Sequence, residues 1–245
     1  MFAQLVRLLD ADPELGDGLD APARRLAGQA LVAEVLHANG GDLANAVPAE
    51  RRDRALGLLM LDGLVLRRVR LVGRVGVEIV GGGDFVRPWD AEGELASVPA
   101  EVAWSVVEPS RFAVVDADLH AVLLRYPDVL LRLVARVSRR ADTLALNLAL
   151  ARLPRIESRL IVLFWHLADR FGRVDAEGVV VPLRLSHETL AELVFAQRQS
   201  VTRSLSSLAD RGLLHRRRWG TWVLHGEPPR SAASLAADLT VAAGD

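Results

Sequence analysis

The sequence predicts an α+β protein of three parts: a valine-rich sheet domain, one long helix, and a small domain of short helices closed by a basic hairpin. Three observations predict it. Short valine-rich runs, LVLRRVRLV, VGVEIV, VAWSVV and RFAVV, crowd residues 60–115 between glycine- and proline-bearing turns such as GGGD and RPWD. An unbroken helical pattern then opens after Pro127 and stops before Pro154. Finally, residues 197–218, QRQSVTRSLSSLADRGLLHRRR, set cations at the start of an apparent helix and again just beyond it, with Asp210 the only acid.

Composition bounds the rest. Of 245 residues, 51% are hydrophobic and 25% charged, which is globular rather than disordered. Thirty basic residues, all of them arginine, face 31 acidic ones, so affinity for a polyanion must come from a local patch. The absence of cysteine excludes disulfides, thiolate zinc sites, cysteine-ligated clusters and thiol redox sensing. No apolar run has transmembrane length, and MFAQLVRLLDADPEL lacks a basic start followed by an apolar core. The expectation is a cytoplasmic protein without membrane contact.

Along the first 60 residues, helical patterning alternates with turn signals. FAQLVRLL runs into DADPELGDGLD, and ARRLAGQALVAEVLHANGG is expected to be helical up to its Asn–Gly–Gly break. The valine-rich runs that follow predict a small antiparallel sandwich or barrel. In the long helix, Leu130, Val134, Val137, Ala141, Leu144, Leu148 and Ala151 are spaced 4, 3, 4, 3, 4, 3, an a/d seam. Leu131, Leu133, Leu146 and Leu150 widen the apolar surface, so one face can pack on the strands while the seam meets a second copy of the chain. The six residues from Leu130 to Leu148 are the dimerisation candidates.

After Pro154, RIESRLIVLFWHLADRFG reads as an amphipathic helix stopped by Gly172, and a strand signal lies at 179–185. Ser186 is a good N-cap for HETLAELV, with Glu188 suiting the helix dipole. FAQ interrupts, and RQSVTRSLSSLADRG makes a second helix. Two short helices joined by about three residues outline a helix-turn-helix. At about 100° per residue, Arg198, Gln199, Thr202, Arg203 and Ser206 share one arc of the second helix, and Val201, Leu205 and Leu208 share the other. Arginine can donate twice to guanine O6 and N7, and glutamine can pair with adenine. Arg198, Gln199 and Arg203 are therefore the candidate base contacts. Ser186, His187, Ser200, Thr202 and Ser206 are candidates for phosphates. GLLHRRRWGTWVLHG adds a wing hairpin whose Arg216, Arg217 and Arg218 suit the backbone.

Assembled in this order, LSHETLAELVFAQRQSVTRSLSSLADRGLL and its wing resemble the C-terminal domain of the Crp/Fnr family of bacterial transcription regulators. The turn GDF (83–85) and the long helix opening after Tyr126 and Pro127 fit the same family. The resemblance is strong over 119–226 and weaker over 60–118. It implies an N-terminal β-roll (cyclic-nucleotide-binding-like) sensor domain over 1–118, a long dimerisation helix region over 119–153, a winged helix-turn-helix over 154–230, and a tail over 231–245. It also implies a homodimer on near-palindromic double-stranded DNA, with RNA polymerase as an expected partner.

Two departures stand out in the DNA-reading part: Gln199 replaces the glutamate of cyclic-AMP-responsive members, and Phe195 stands where the turn usually carries glycine. In the sensor part, the family's Gly–Glu–Leu cassette comes shortly after the GDF-like turn. Here Arg87, Pro88 and Trp89 hold that place, and GEL comes late at 93–95. AEVAWS (100–105) replaces the phosphate-binding arginine pair and brings Glu101. Cyclic AMP is not expected to bind in the usual mode, and no cofactor or metal is expected.

One alternative is a ligand-sensing or protein-interaction module of the same fold that has lost DNA binding. An enzyme is disfavoured. The histidines at 37, 120, 166, 187, 215 and 225 show no paired metal-ligand spacing, and no GxSxG nucleophile motif is present.

Overall fold

The computed structural model describes residues 4–90, 100–231 and 234–235. It divides into two compact units, Met1–Leu144 and Ala145–Asp245.

The first unit is built on one antiparallel sheet. Its strands are β1 (Leu5–Arg7), β2 (Val32–Ala38), β3 (Ala55–Leu71), β4 (Arg74–Val80), β5 (Phe85–Val86) and β6 (Ala100–Asp116). The order is β1-β2-β6-β3-β4, with β5 paired to β3. Between the strands lie α1 (Leu8–Ala11), a 3-10 turn (Pro13–Gly16), α2 (Ala21–Ala30), α3 (Leu43–Ala46) and α4 (Ala49–Arg52). The helical expectation for ARRLAGQALVAEVLHANGG holds only to Ala30. From Val32 the chain pairs with β6, His37 opposite Arg111 and Glu34 opposite Val114, and alternate residues Ala33 and Val35 are buried. A partner strand almost eighty residues away overrides the local alanine and leucine preference.

The two runs VAWSVV and RFAVV are one strand, not two. β6 continues through Pro109 and pairs with β3 along nearly its whole length. Register shifts at Met60/Asp62, Asp62/Leu64 and Leu64/Val65 bend this ribbon. The bend brings Leu58, Met60, Phe112 and Val114 into one cluster with Val65, Val80 and Trp104 from beyond it, which makes the sheet a roll. On the opposite face, Leu59, Ala113 and Val115 pack with Leu8, Leu9, Leu15 and Leu31. The same cluster takes Leu119 and Leu123 of α5 (Ala117–Leu123), then Val129 and Leu133 of the long helix α6 (Pro127–Ala151).

Helix α6 turns a different stripe to solvent. Leu131, Val134, Val137, Leu144 and Leu148 are all exposed, Leu148 to 72%. Beside the buried Val129 and Leu133, three arginines one turn apart tie the helix to the first unit. Arg132 Nε donates to the Asp17 carbonyl, Arg136 Nη2 to Asp12 at 2.8 Å, and Arg140 Nη2 to Glu78 at 2.8 Å.

The second unit contains α7 (Ile156–Phe171), β7 (Arg173–Val174), β8 (Val179–Val181), α8 (His187–Leu193), α9 (Arg198–Asp210), β9 (Leu214–Arg216) and β10 (Trp222–Leu224). Its sheet runs β7-β8-β10-β9. Phe164 of α7 meets Trp222 of β10 at a centroid distance of 4.9 Å, and both are buried. Most of the tail 231–245 lies outside the described residues.

Candidate nucleic-acid interface

The Ser186 hydroxyl accepts from the Thr189 amide at 3.0 Å and so starts α8 as an N-cap. At the turn, Phe195 adopts φ +54°, the left-handed conformation that costs an L-residue about 1–2 kcal/mol. Glycine's usual place is thus kept in backbone shape, with a phenylalanine supplying it. Two Arg159 bonds hold this corner, from Nη1 to the carbonyls of Val194 and Phe195 at 3.0 and 3.3 Å.

Helix α9 then presents its two arcs. Val201, Leu205 and Leu208 are buried, while Arg198, Gln199, Thr202, Arg203 and Ser206 are exposed and Ser200 is half-buried. Among the described residues no carboxylate pairs with Arg198 or Arg203. The hydroxyls of Thr202 and Ser206 donate to the carbonyls one turn back, Arg198 and Thr202. His187 Nδ1 sits 3.0 Å from Thr202 Oγ1. Burial, then the charges of Arg216 and Arg198, push the His187 imidazole below its ordinary pKa. The start of α8, the start of α9 and the first wing strand therefore converge on one cationic surface.

The three wing arginines do not act alike. Arg216 lies over the Trp222 ring at 5.6 Å, and Arg218 is exposed. Arg217 turns to the other side of the hairpin. Its Nη2 bonds Asp175 at 2.7 Å and Glu177 at 2.8 Å, which holds Asp175 below the ordinary carboxylate pKa. A backbone contact from Arg217 would have to break both pairs.

Inside the roll, Glu101 is 79% exposed and pairs with Arg70 at 3.1 Å, so it does not face the interior. The side chain that does is Trp104, 3% exposed, with Arg67 and Arg140 at 5.5 and 5.6 Å from its ring. Trp89 packs against the same cluster. The interior is not without cations, as the sequence had suggested. Both arginines are taken by Glu78, which is almost fully buried: Arg140 through two bonds and Arg67 at 3.5 Å. Sequence reasoning missed this group, although an acid within the apolar run VGVEIV was its signal. GEL (93–95) lies outside the described residues.

Residues 158–226 match the family model of the Crp-like helix-turn-helix domain. The chain is 37% identical over 73 residues to the regulatory protein CysR of Synechococcus elongatus, covering 29% of this chain and 35% of that protein. It is 30% identical over 133 residues to the CRP-like cAMP-activated global transcriptional regulator of Mycobacterium tuberculosis, covering 51% of this chain and 58% of that one. The match therefore spans only about a third to three-fifths of these relatives. Among solved structures, a CooA variant from Carboxydothermus hydrogenoformans superposes with TM-score 0.60 at 17% identity, covering 84% of this chain and 87% of the other. A CRP-family regulator from Thermus thermophilus does so with TM-score 0.53 at 20% identity, covering 84% and 93%. The chain has the Crp/Fnr fold and carries a Crp-like helix-turn-helix domain.

Proposed function

We propose that the protein is a sequence-specific DNA-binding transcription regulator that acts as a homodimer on a near-palindromic site. One observation carries this reading: the polar arc of α9 is exposed, with Arg198 and Arg203 lacking a carboxylate partner among the described residues, while the apolar arc is buried beneath it. Arg198, Gln199 and Arg203 read base edges in the major groove. His187, Thr202, Ser206, Arg216 and Arg218 meet phosphates, while Ser186 serves first as the cap. The exposed Val134, Val137, Ala141, Leu144 and Leu148, with the half-buried Leu130 beside them, support pairing of two copies, with half-sites about one helical turn apart. The buried Trp104 and the Glu78–Arg140 pair support a degenerate sensor that does not take cyclic AMP in the usual way. RNA polymerase is the expected partner of the bound dimer.

Selection of duplexes from a random pool by the purified protein tests this. The wild type is expected to enrich a palindrome, and Arg203→Ala to lose about 1–3 kcal/mol and relax one base position in each half-site. No preference over random duplex at moderate salt, or a monomer by light scattering, would overturn the corresponding part. The left-handed Phe195 supports the rival reading, a protein-interaction module, only if no sequence is selected.

A further inference from the structure

The tip of the wing holds an unusual residue. Trp219 is 79% exposed, at the end of a hairpin whose other tryptophan, Trp222, is buried. A solvated indole gains little from folding and keeps its whole apolar face for a partner. The tip is also rigid. The Arg217 amide donates to the Thr221 carbonyl at 2.8 Å and the Gly220 amide to the Arg217 carbonyl at 2.9 Å. Gly220 supplies the φ of +86° that this turn needs. The double ion pair from Arg217 to Asp175 and Glu177 fastens the hairpin to the turn between β7 and β8. Charge names the partner. Arg216 and Arg218 flank the tip, and neither has a carboxylate partner among the described residues. An apolar protein surface would have to bury two unmatched guanidinium groups there, whereas DNA offers phosphates for both and deoxyribose faces for the indole.

We infer that Trp219 is a DNA-contacting side chain, lying against the sugar walls of the minor groove beside the major groove that α9 enters. Arg217 is a positioning residue that makes no phosphate contact and holds the tip in place. The inference rests on the DNA-binding reading above and adds to it an apolar contact and a division of labour among the wing arginines.

The test uses the full chain and a fluorescein-labelled duplex carrying the site the wild type selects. Trp219→Ala is expected to weaken binding about tenfold, and Trp219→Phe to keep most of the affinity. Neither change alters the salt dependence, because no counterion-releasing charge is lost. Arg218→Ala should flatten the log–log salt slope by about one, and Arg217→Ala should leave it unchanged. As an independent readout, the difference in emission between wild type and Trp219→Phe should shift to the blue when DNA is added. Wild-type affinity and unchanged emission in the Trp219 variants would overturn the contact while leaving the DNA reading intact. A slope lowered by Arg217→Ala would overturn the positioning role. A wild type with no salt-dependent binding would instead bring down the DNA reading itself.

Discussion

Arginine does opposite things in the two units. In the first, Arg136 and Arg140 reach inward from the long helix and end on buried or nearly buried carboxylates, Asp12 and Glu78. In the second, Arg198, Arg203, Arg216 and Arg218 stand on the surface without a carboxylate partner among the described residues. The difference teaches where each charge acts. A paired, desolvated guanidinium holds an element in register and is lost to any outside anion, whereas an unpaired exposed one keeps its full attraction for phosphate.

The sharpest way to break this contrast is Glu78→Ala. It leaves Arg140 buried without its counter-charge and should cost the first unit about 3–5 kcal/mol, read from the denaturant midpoint. A change below about 1 kcal/mol would mean that the interior pair is solvated and not structural. A smaller effect, of opposite sign, is expected from Phe195→Gly. Relief of the left-handed strain should raise the stability of the second unit by less than about 1 kcal/mol, since the glycine's own entropy offsets part of the gain.

A third measurement follows pH. Burial, then Arg170, depress the His166 pKa below its ordinary value of 6.5, so the unfolded chain binds more protons there than the folded one. Stability is complete above that value and declines as pH falls from it towards the depressed folded pKa. His166→Gln should remove that part of the slope. The smallest change marks the other side of the comparison: Arg203→Ala should leave the unfolding midpoint within about 0.5 kcal/mol while DNA affinity drops.

The second unit was the more legible in sequence, because its signals are local. The Ser186 cap, the two arcs of α9, the stop at Gly212 and the wing strands all sit within some forty residues and emerge where the patterning puts them. What escaped there was partnership across distance. Nothing near Arg217 announces that Asp175 and Glu177 will claim it, and a left-handed phenylalanine at 195 contradicts local preference. In the first unit most errors share one cause. β2 and β6 are defined by pairing between distant segments, and the bulges that bend β3 alter which side chains face inward. Likeness to the family's arginine pair places Glu101 inside, yet it stands opposite Arg70 and is exposed, while Trp104 fills the interior.

The strand order carries a further consequence, for synthesis. β6 lies between β2 and β3 yet is made after both, so the first ninety residues can form two separate ribbons but no closed sheet. Until residue 116 has left the ribosome, the inner edges of β2 and β3 face solvent unpaired, a template for association with other chains. A fragment ending before Ala100 should therefore aggregate. The winged unit, whose strands and helices are all close in sequence, needs no such wait.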